Sequence, residues 1–198
     1  MRNCIIVLNL ANFTGTMNHG LKHSDGTYSK LRVDYKELLD YLVGPDRNLL
    51  GAYVVSQQDI SASNNKSLEQ LQANQRFVQR LTNFGWTPLR VSYNRETNTS
   101  TTMLETIWQN TLSSLLDNDG NWLVNPHITD IIFVDGSSAW YDIIAAFFTQ
   151  GFSVEVAYPK VATSKLLMAN FAFFDITPFL MSNNAKVVER MNRTPNNG

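Results

Sequence analysis

The chain has 198 residues, 43% hydrophobic and 11% aromatic, with 16 lysines and arginines against 17 aspartates and glutamates. That length buries one core and leaves two domains cramped. A net charge of −1 excludes a global basic field that would draw the protein onto nucleic acid or an anionic membrane, so a polyanion must meet a local patch.

The single cysteine, Cys4, rules out an intrachain disulfide framework and a cysteine-rich zinc site, and it fits a cytoplasmic protein. Residues 3–10 (NCIIVLNL) read as a buried central strand, and 9–15 as a loop at its carboxyl end. Residues 17–28 are loop material, with Gly20 and Asp25-Gly26. Asp34 precedes Tyr35, Leu38, Leu39 and Leu42, a helical pattern closed by Gly44-Pro45. A second strand is expected over 49–56 and a polar loop over 57–66. An amphipathic helix over 67–84 stops at Gly85, and a third strand follows over 88–93. Then come a polar loop over 94–102, a helix over 103–116 and a turn through Asp119-Gly120.

The strongest signal spans residues 129–149. The run Ile131-Ile132-Phe133-Val134 stops at Asp135-Gly136, and a small-residue turn opens onto Trp140–Phe148, where apolar residues recur at three and four. That pattern predicts a buried parallel strand, a tight turn and a helix packed back on the sheet. Gly151 closes this helix, 152–158 alternates as a strand, 164–170 is a short helix and 173–176 a last short strand. From Ser182 the tail is polar, either one weak helix over 185–191 or disordered. Residues 4–8 are too short to span a membrane, and 171–180 is broken by Asp175 and Pro178. Alternating strands and helices predict a three-layer α/β/α sandwich with a mainly parallel central sheet. The domain is expected over 1–181, with 182–198 as its tail. Ligands of such sheets sit outside the carboxyl ends of strands, which places the site at the 135–141 turn.

The order of these pieces over about residues 3–179 resembles the NYN domain family, a branch of the PIN-like metal-dependent nucleases. Members of that family open with a strand ending in Asp and carry Asn three residues later; the matching positions are Asn9 and Asn12. Where they have Ser-Gly-Asp-Ser-Asp-Phe, this chain has Asp135-Gly136-Ser137-Ser138-Ala139-Trp140. Their next Gly, strand and Ser/Leu-containing turn match Gly151, residues 152–158, and Thr163-Ser164 with Leu167. The resemblance implies a PIN-like fold and a nucleic-acid ligand. The acids it calls for are replaced by Asn9, Ser137 and Ala139, and before the middle helix stand Thr101 and Thr102, with Glu105 the nearest carboxylate. Two-metal phosphodiester hydrolysis needs several converging carboxylates. The expectation is therefore an RNA-binding protein without catalytic residues, metal or cofactor.

Asn9, Asn12, Ser137 and Ser138 offer neutral donors, and the N–H groups of residues 138–141 would face an anion, with Ser137 or Ser138 also capping the helix. Cations near aromatics suit single-stranded RNA. The loops supply Lys22, Lys30, Arg32, Arg95, Trp140, Tyr141, Lys160 and Lys165, with His23, Tyr28, Arg90, Tyr93 and Tyr158 beside them. Taken singly, these lysines and arginines read as solvated surface, Trp140 as core, and Asp135 as a turn-forming residue before glycine. Two alternatives stay open. One is an active nuclease using Asp135 with Glu105 or Asp59; the other is a scaffold with a vestigial site, its apolar stretch at 145–148 meeting a second copy or a protein partner. His19, His23 and His127 lack zinc-ligand spacing, and no P-loop, Gly-x-Gly-x-x-Gly or Gly-x-Ser-x-Gly pattern is present.

Overall fold

The computed structural model describes residues 1–22, 28–59, 68–93, 115–182 and 185–191. Six parallel strands form the central sheet: β1 (Arg2–Asn9), β4 (Arg47–Asp59), β5 (Thr87–Tyr93), β6 (Thr129–Val134), β7 (Ser153–Tyr158) and β8 (Ala172–Asp175). Their order across the sheet is β5-β4-β1-β6-β7-β8. In chain order this is third, second, first, fourth, fifth, sixth. The connection therefore reverses between β1 and β6, and their carboxyl ends flank the crevice where such sheets take ligands.

The apolar runs of β1 and β6 are continuous because both faces of the sheet are covered. Ile6 and Leu8 of β1, with Ile132 and Val134 of β6, belong to one core. Ile5 and Val7, with Ile131 and Phe133, belong to the other. The first core takes residues of α1 (Leu10–His19), α2 (Tyr35–Val43), α3 (Leu68–Asn83) and α6 (Thr177–Met181). The second takes residues of α4 (Tyr141–Thr149) and α5 (Lys165–Asn170). The result is the three-layer α/β/α sandwich expected from the alternation. At the amino ends of the strands, Asp130 is shared by Arg2 at 2.6 Å and Arg47 at 3.0 Å, and Arg47 also reaches Glu155 at 2.9 Å.

Three expectations are corrected. The segment after β1 is helix α1, not loop. Thr14, Gly15 and Thr16 are poor helix formers, but Phe13 and Met17, one turn apart, are both buried, and tertiary packing overrides propensity. The tail is neither helix nor disordered over residues 185–191. These form strand β9 (Ala185–Met191), which pairs antiparallel with β3 (Tyr28–Val33), itself paired with β2 (Leu21–Lys22) in a second, three-stranded sheet. Val187 and Val188 favour a strand, but only the waiting edge of β3 decides it. That sheet also takes in part of the expected loop over 17–28. The remaining elements stand close to their expected places, including α2 with Asp34 as its N-cap and Gly44, at φ +64°, ending it. The helix expected over 103–116 lies outside the described residues except for its last two positions. The loop over 94–102 lies wholly outside them, as does the 57–66 loop from residue 60 onward. Residues 57–59 belong to β4.

Candidate functional site at the carboxyl ends of the first and fourth parallel strands

Asn9 is the last residue of β1 and the N-cap of α1: its side-chain oxygen accepts from the Asn12 N–H at 3.4 Å. Its Nδ2 points the other way and donates to Asp135 Oδ2 at 2.6 Å. The Asn12 side-chain amide donates to Asp135 Oδ1, as does the Ser137 backbone N–H at 2.8 Å. Asp135 follows β6 and is wholly buried. Burial pushes its carboxyl above the usual range for aspartate, and the donors from Ser137, Asn9, Asn12 and the Gly136 N–H pull part of the way back. Among the described residues, the buried carboxylate of Asp135 is thus held by neutral amides.

Gly136 fixes the next layer. A Cβ there would stand 2.4 Å from the Ala162 carbonyl oxygen and 2.5 Å from Tyr158 Cδ1, so no side chain fits. Its carbonyl accepts from Ser164 N at 2.8 Å, which draws the 160–164 segment against the turn. The buried Tyr158 hydroxyl donates to the Asn12 carbonyl at 3.0 Å and lies 2.7 Å from Thr16 Oγ1, tying β7 to α1. Tyr158, expected beside the RNA-binding cations, is instead buried, and its hydroxyl is an internal tie.

The expected site residues divide into three sets. Asn9, Asn12, Ser137, Tyr158, Lys160 and Lys165 are gathered around the turn by the contacts above, with both lysines exposed on the segment that packs on Gly136. Lys30 and Arg32 lie on β3, and Lys22 on β2, in the second sheet. Arg95 and Glu105 lie outside the described residues, and Asp59 is the last residue of β4.

Several roles change. The amides of Asn9 and Asn12 already donate to Asp135. The N–H of Ala139 is taken by Ser137 Oγ at 3.3 Å, that of Trp140 by the Ser137 carbonyl and that of Tyr141 by the Ser138 carbonyl. The turn spends those donors on itself instead of presenting them to an anion, because a short 3-10 turn at 138–140 precedes α4. Trp140 is core: it is 1% exposed and packs edge-on against Phe133 with ring centroids 6.2 Å apart, so it is not available to stack on a base. Burying such a ring stabilises by about 2–3 kcal/mol. Tyr141 is half-buried and packs against Phe171. Ser138 is exposed.

Among the described residues no group of three or more His, Cys, Asp or Glu side chains is placed to hold a metal ion. No described helix is long and apolar enough to cross a membrane.

No protein-family model and no curated protein matches the chain. It is similar to the crystal structure of a protein of unknown function from Vibrio parahaemolyticus, with a TM-score of 0.59 and 14% sequence identity. The match covers 88% of this chain and 91% of that one. The likeness is one of fold. At that identity it says that a similar arrangement of strands and helices has been built by a very different sequence, and it carries no residue role across.

Proposed function

We propose that this chain is a non-cleaving RNA-binding protein that takes single-stranded RNA, with weak sequence preference, along the carboxyl edge of its parallel sheet. The observation that carries this reading is the occupation of buried Asp135 by the amides of Asn9 and Asn12 and by the Ser137 backbone N–H. A buried carboxylate already accepting from two side-chain amides and a backbone N–H is poorly placed to hold a divalent ion, and the described part of the crevice presents no carboxylate cluster to repel phosphate. Lys160 and Lys165 stand exposed beside it as point charges for a phosphate backbone. The resemblance to NYN domains supplies the ligand class. Cys4, buried and pushed up to about 11 by its burial, is an inert thiol suited to a cytoplasmic protein.

The test is a filter-binding titration of a labelled single-stranded RNA, with and without Mg²⁺. Binding that weakens steeply with salt, leaves the RNA intact and drops in a Lys160→Glu/Lys165→Glu variant supports the reading. A metal-dependent cleavage ladder abolished by Asp135→Ala would replace it with the nuclease alternative. A second reading, a protein-interaction module, is favoured by the exposed Phe148 ring, which lies 6.3 Å from that of Phe171 on the outer face of α4. Absence of RNA binding at low salt would leave that one standing.

A further inference from the structure

A second concave surface lies on the first helical layer, between α1, β3, the start of α2 and the end of α3. Its volume is about 350 Å³, a single-ligand size. The floor is apolar and aromatic. Tyr35 and Phe77 meet edge to face at 5.6 Å, Leu81 is buried beneath, and Phe84 contributes a ring left 37% exposed. Two exposed arginines also line the groove, Arg32 from β3 and Arg80 from α3.

The pairing of these arginines sets them apart. Arg2 and Arg47 are each bound to Asp130 at the amino ends of the strands. Arg32 and Arg80 have no ion-pair or hydrogen-bond partner for their guanidinium groups among the described residues. Among the described residues one carboxylate lines the groove, Asp34, and it is turned into the first turn of α2, where Oδ1 accepts from Lys36 N at 2.9 Å and Glu37 N at 3.3 Å. Its charge is absorbed by the helix start. The groove therefore combines an apolar base with two exposed arginines. Two rigid forked donors suit a phosphate better than a diffuse acidic surface. A pocket of this size, with the rings of Phe77 and Phe84 at its surface, suits one base rather than an extended peptide. Asn18, exposed on α1, offers an amide that can both donate to and accept from the edge of a seated base.

We propose that this groove is a nucleotide subsite: one base rests against the rings of Phe77 and Phe84 and its phosphate sits between Arg32 and Arg80. The inference rests on the RNA reading above and locates a contact within it. The groove is joined to the Asp135 crevice through α1, whose cap is Asn9 and whose Thr14, Met17 and Asn18 line the groove. Asn12 and Asn18 are about 9 Å apart along the axis of that helix at 1.5 Å per residue.

The experiment has two arms. In the first, a single-stranded oligouridine is titrated into the wild-type chain, an Arg32→Gln/Arg80→Gln variant and a Phe84→Ala variant, at several salt concentrations. The proposal expects the double variant to bind at least tenfold more weakly. Its log–log salt slope should also flatten, by about 0.7 for each phosphate that the arginines no longer neutralise. Phe84→Ala should weaken binding without changing the slope. In the second arm, uridine 5′-monophosphate, uridine and inorganic phosphate are each titrated while backbone amide resonances are followed. The nucleotide should shift Asn18, Phe77 and Phe84 at lower concentration than either fragment. If wild type and double variant bind RNA equally, the subsite is wrong and the RNA reading survives. If RNA does not bind but the nucleotide shifts the groove, the RNA reading is wrong and the subsite survives. Phosphate alone acting as strongly as the nucleotide would overturn the seated base.

Discussion

The side-chain amide of Asn9 donates to the carboxylate of Asp135 at 2.6 Å, joining residues 126 positions apart at the ends of two adjacent parallel strands. One short side chain thereby does two things, capping α1 with its oxygen and neutrally satisfying a buried acid with its nitrogen. An aspartate could do the first but not the second.

Asn9→Asp should therefore set two carboxylates at hydrogen-bond distance. One of them must hold a proton, so its titration is pushed well above the ordinary range. A raised carboxyl group contributes stability below its unfolded value and loses it as pH rises through the folded one. The variant should be destabilised by roughly 1–3 kcal/mol at neutral pH and recover as the pH falls toward about 4, read by denaturant unfolding at both pH values. A loss independent of pH would contradict this account.

The wild-type acid gives a simpler readout. Burial places the Asp135 titration above 3.8 despite its amide donors, so the protonated form is favoured by folding. Its contribution to stability is present below that ordinary value and fades as pH rises through the higher folded one. Following the Asp135 side-chain carboxyl carbon by NMR should give a midpoint above 3.8. A midpoint at or below it would mean that the donors outweigh desolvation.

Gly136 and Gly15 make a matched pair. Alanine at Gly136 would drive a methyl into the Ala162 carbonyl and the Tyr158 ring and should cost roughly 1–3 kcal/mol or more. Alanine at Gly15 meets nothing within 4 Å and sits inside α1, so it should stabilise by about 0.5–1 kcal/mol. Shifts in chemical-denaturation midpoint of opposite sign test both. A tolerated Gly136→Ala would show that the 160–164 segment does not clamp the turn.

Ending the chain at Ser182 removes β9 and leaves β3 with an unpaired edge. The expected result is a fall in thermal midpoint of at least about 4 °C, corresponding to more than about 1 kcal/mol in a chain of this size, together with a rise in aggregation. An unchanged midpoint and monodisperse behaviour would show that β9 adds nothing to the domain.

Sequence alone determined the three-layer arrangement of the central parallel sheet and the helices that cover it. Apolar runs such as residues 131–134, buried on both sides, fit central parallel strands, and helices capped at Asp34 and Ser164 are written in local chemistry. It also placed the candidate site at the Asp135–Gly136 turn, because a strand ending at a turn before an apolar helix is a local pattern. How that turn is wired was decided only by tertiary structure. Asn9, Asn12 and Tyr158 take part in bonds that span 123 to 146 residues. Whether an amide faces a ligand or a buried carboxylate depends on which strands lie side by side. The same holds for α1, where packing of Phe13 and Met17 overrules weak helix formers, and for β9, a polar segment that becomes a strand where β3 offers an edge. Hydrogen bonds and burial between distant segments have no period in the sequence, and those interactions set the chemistry here.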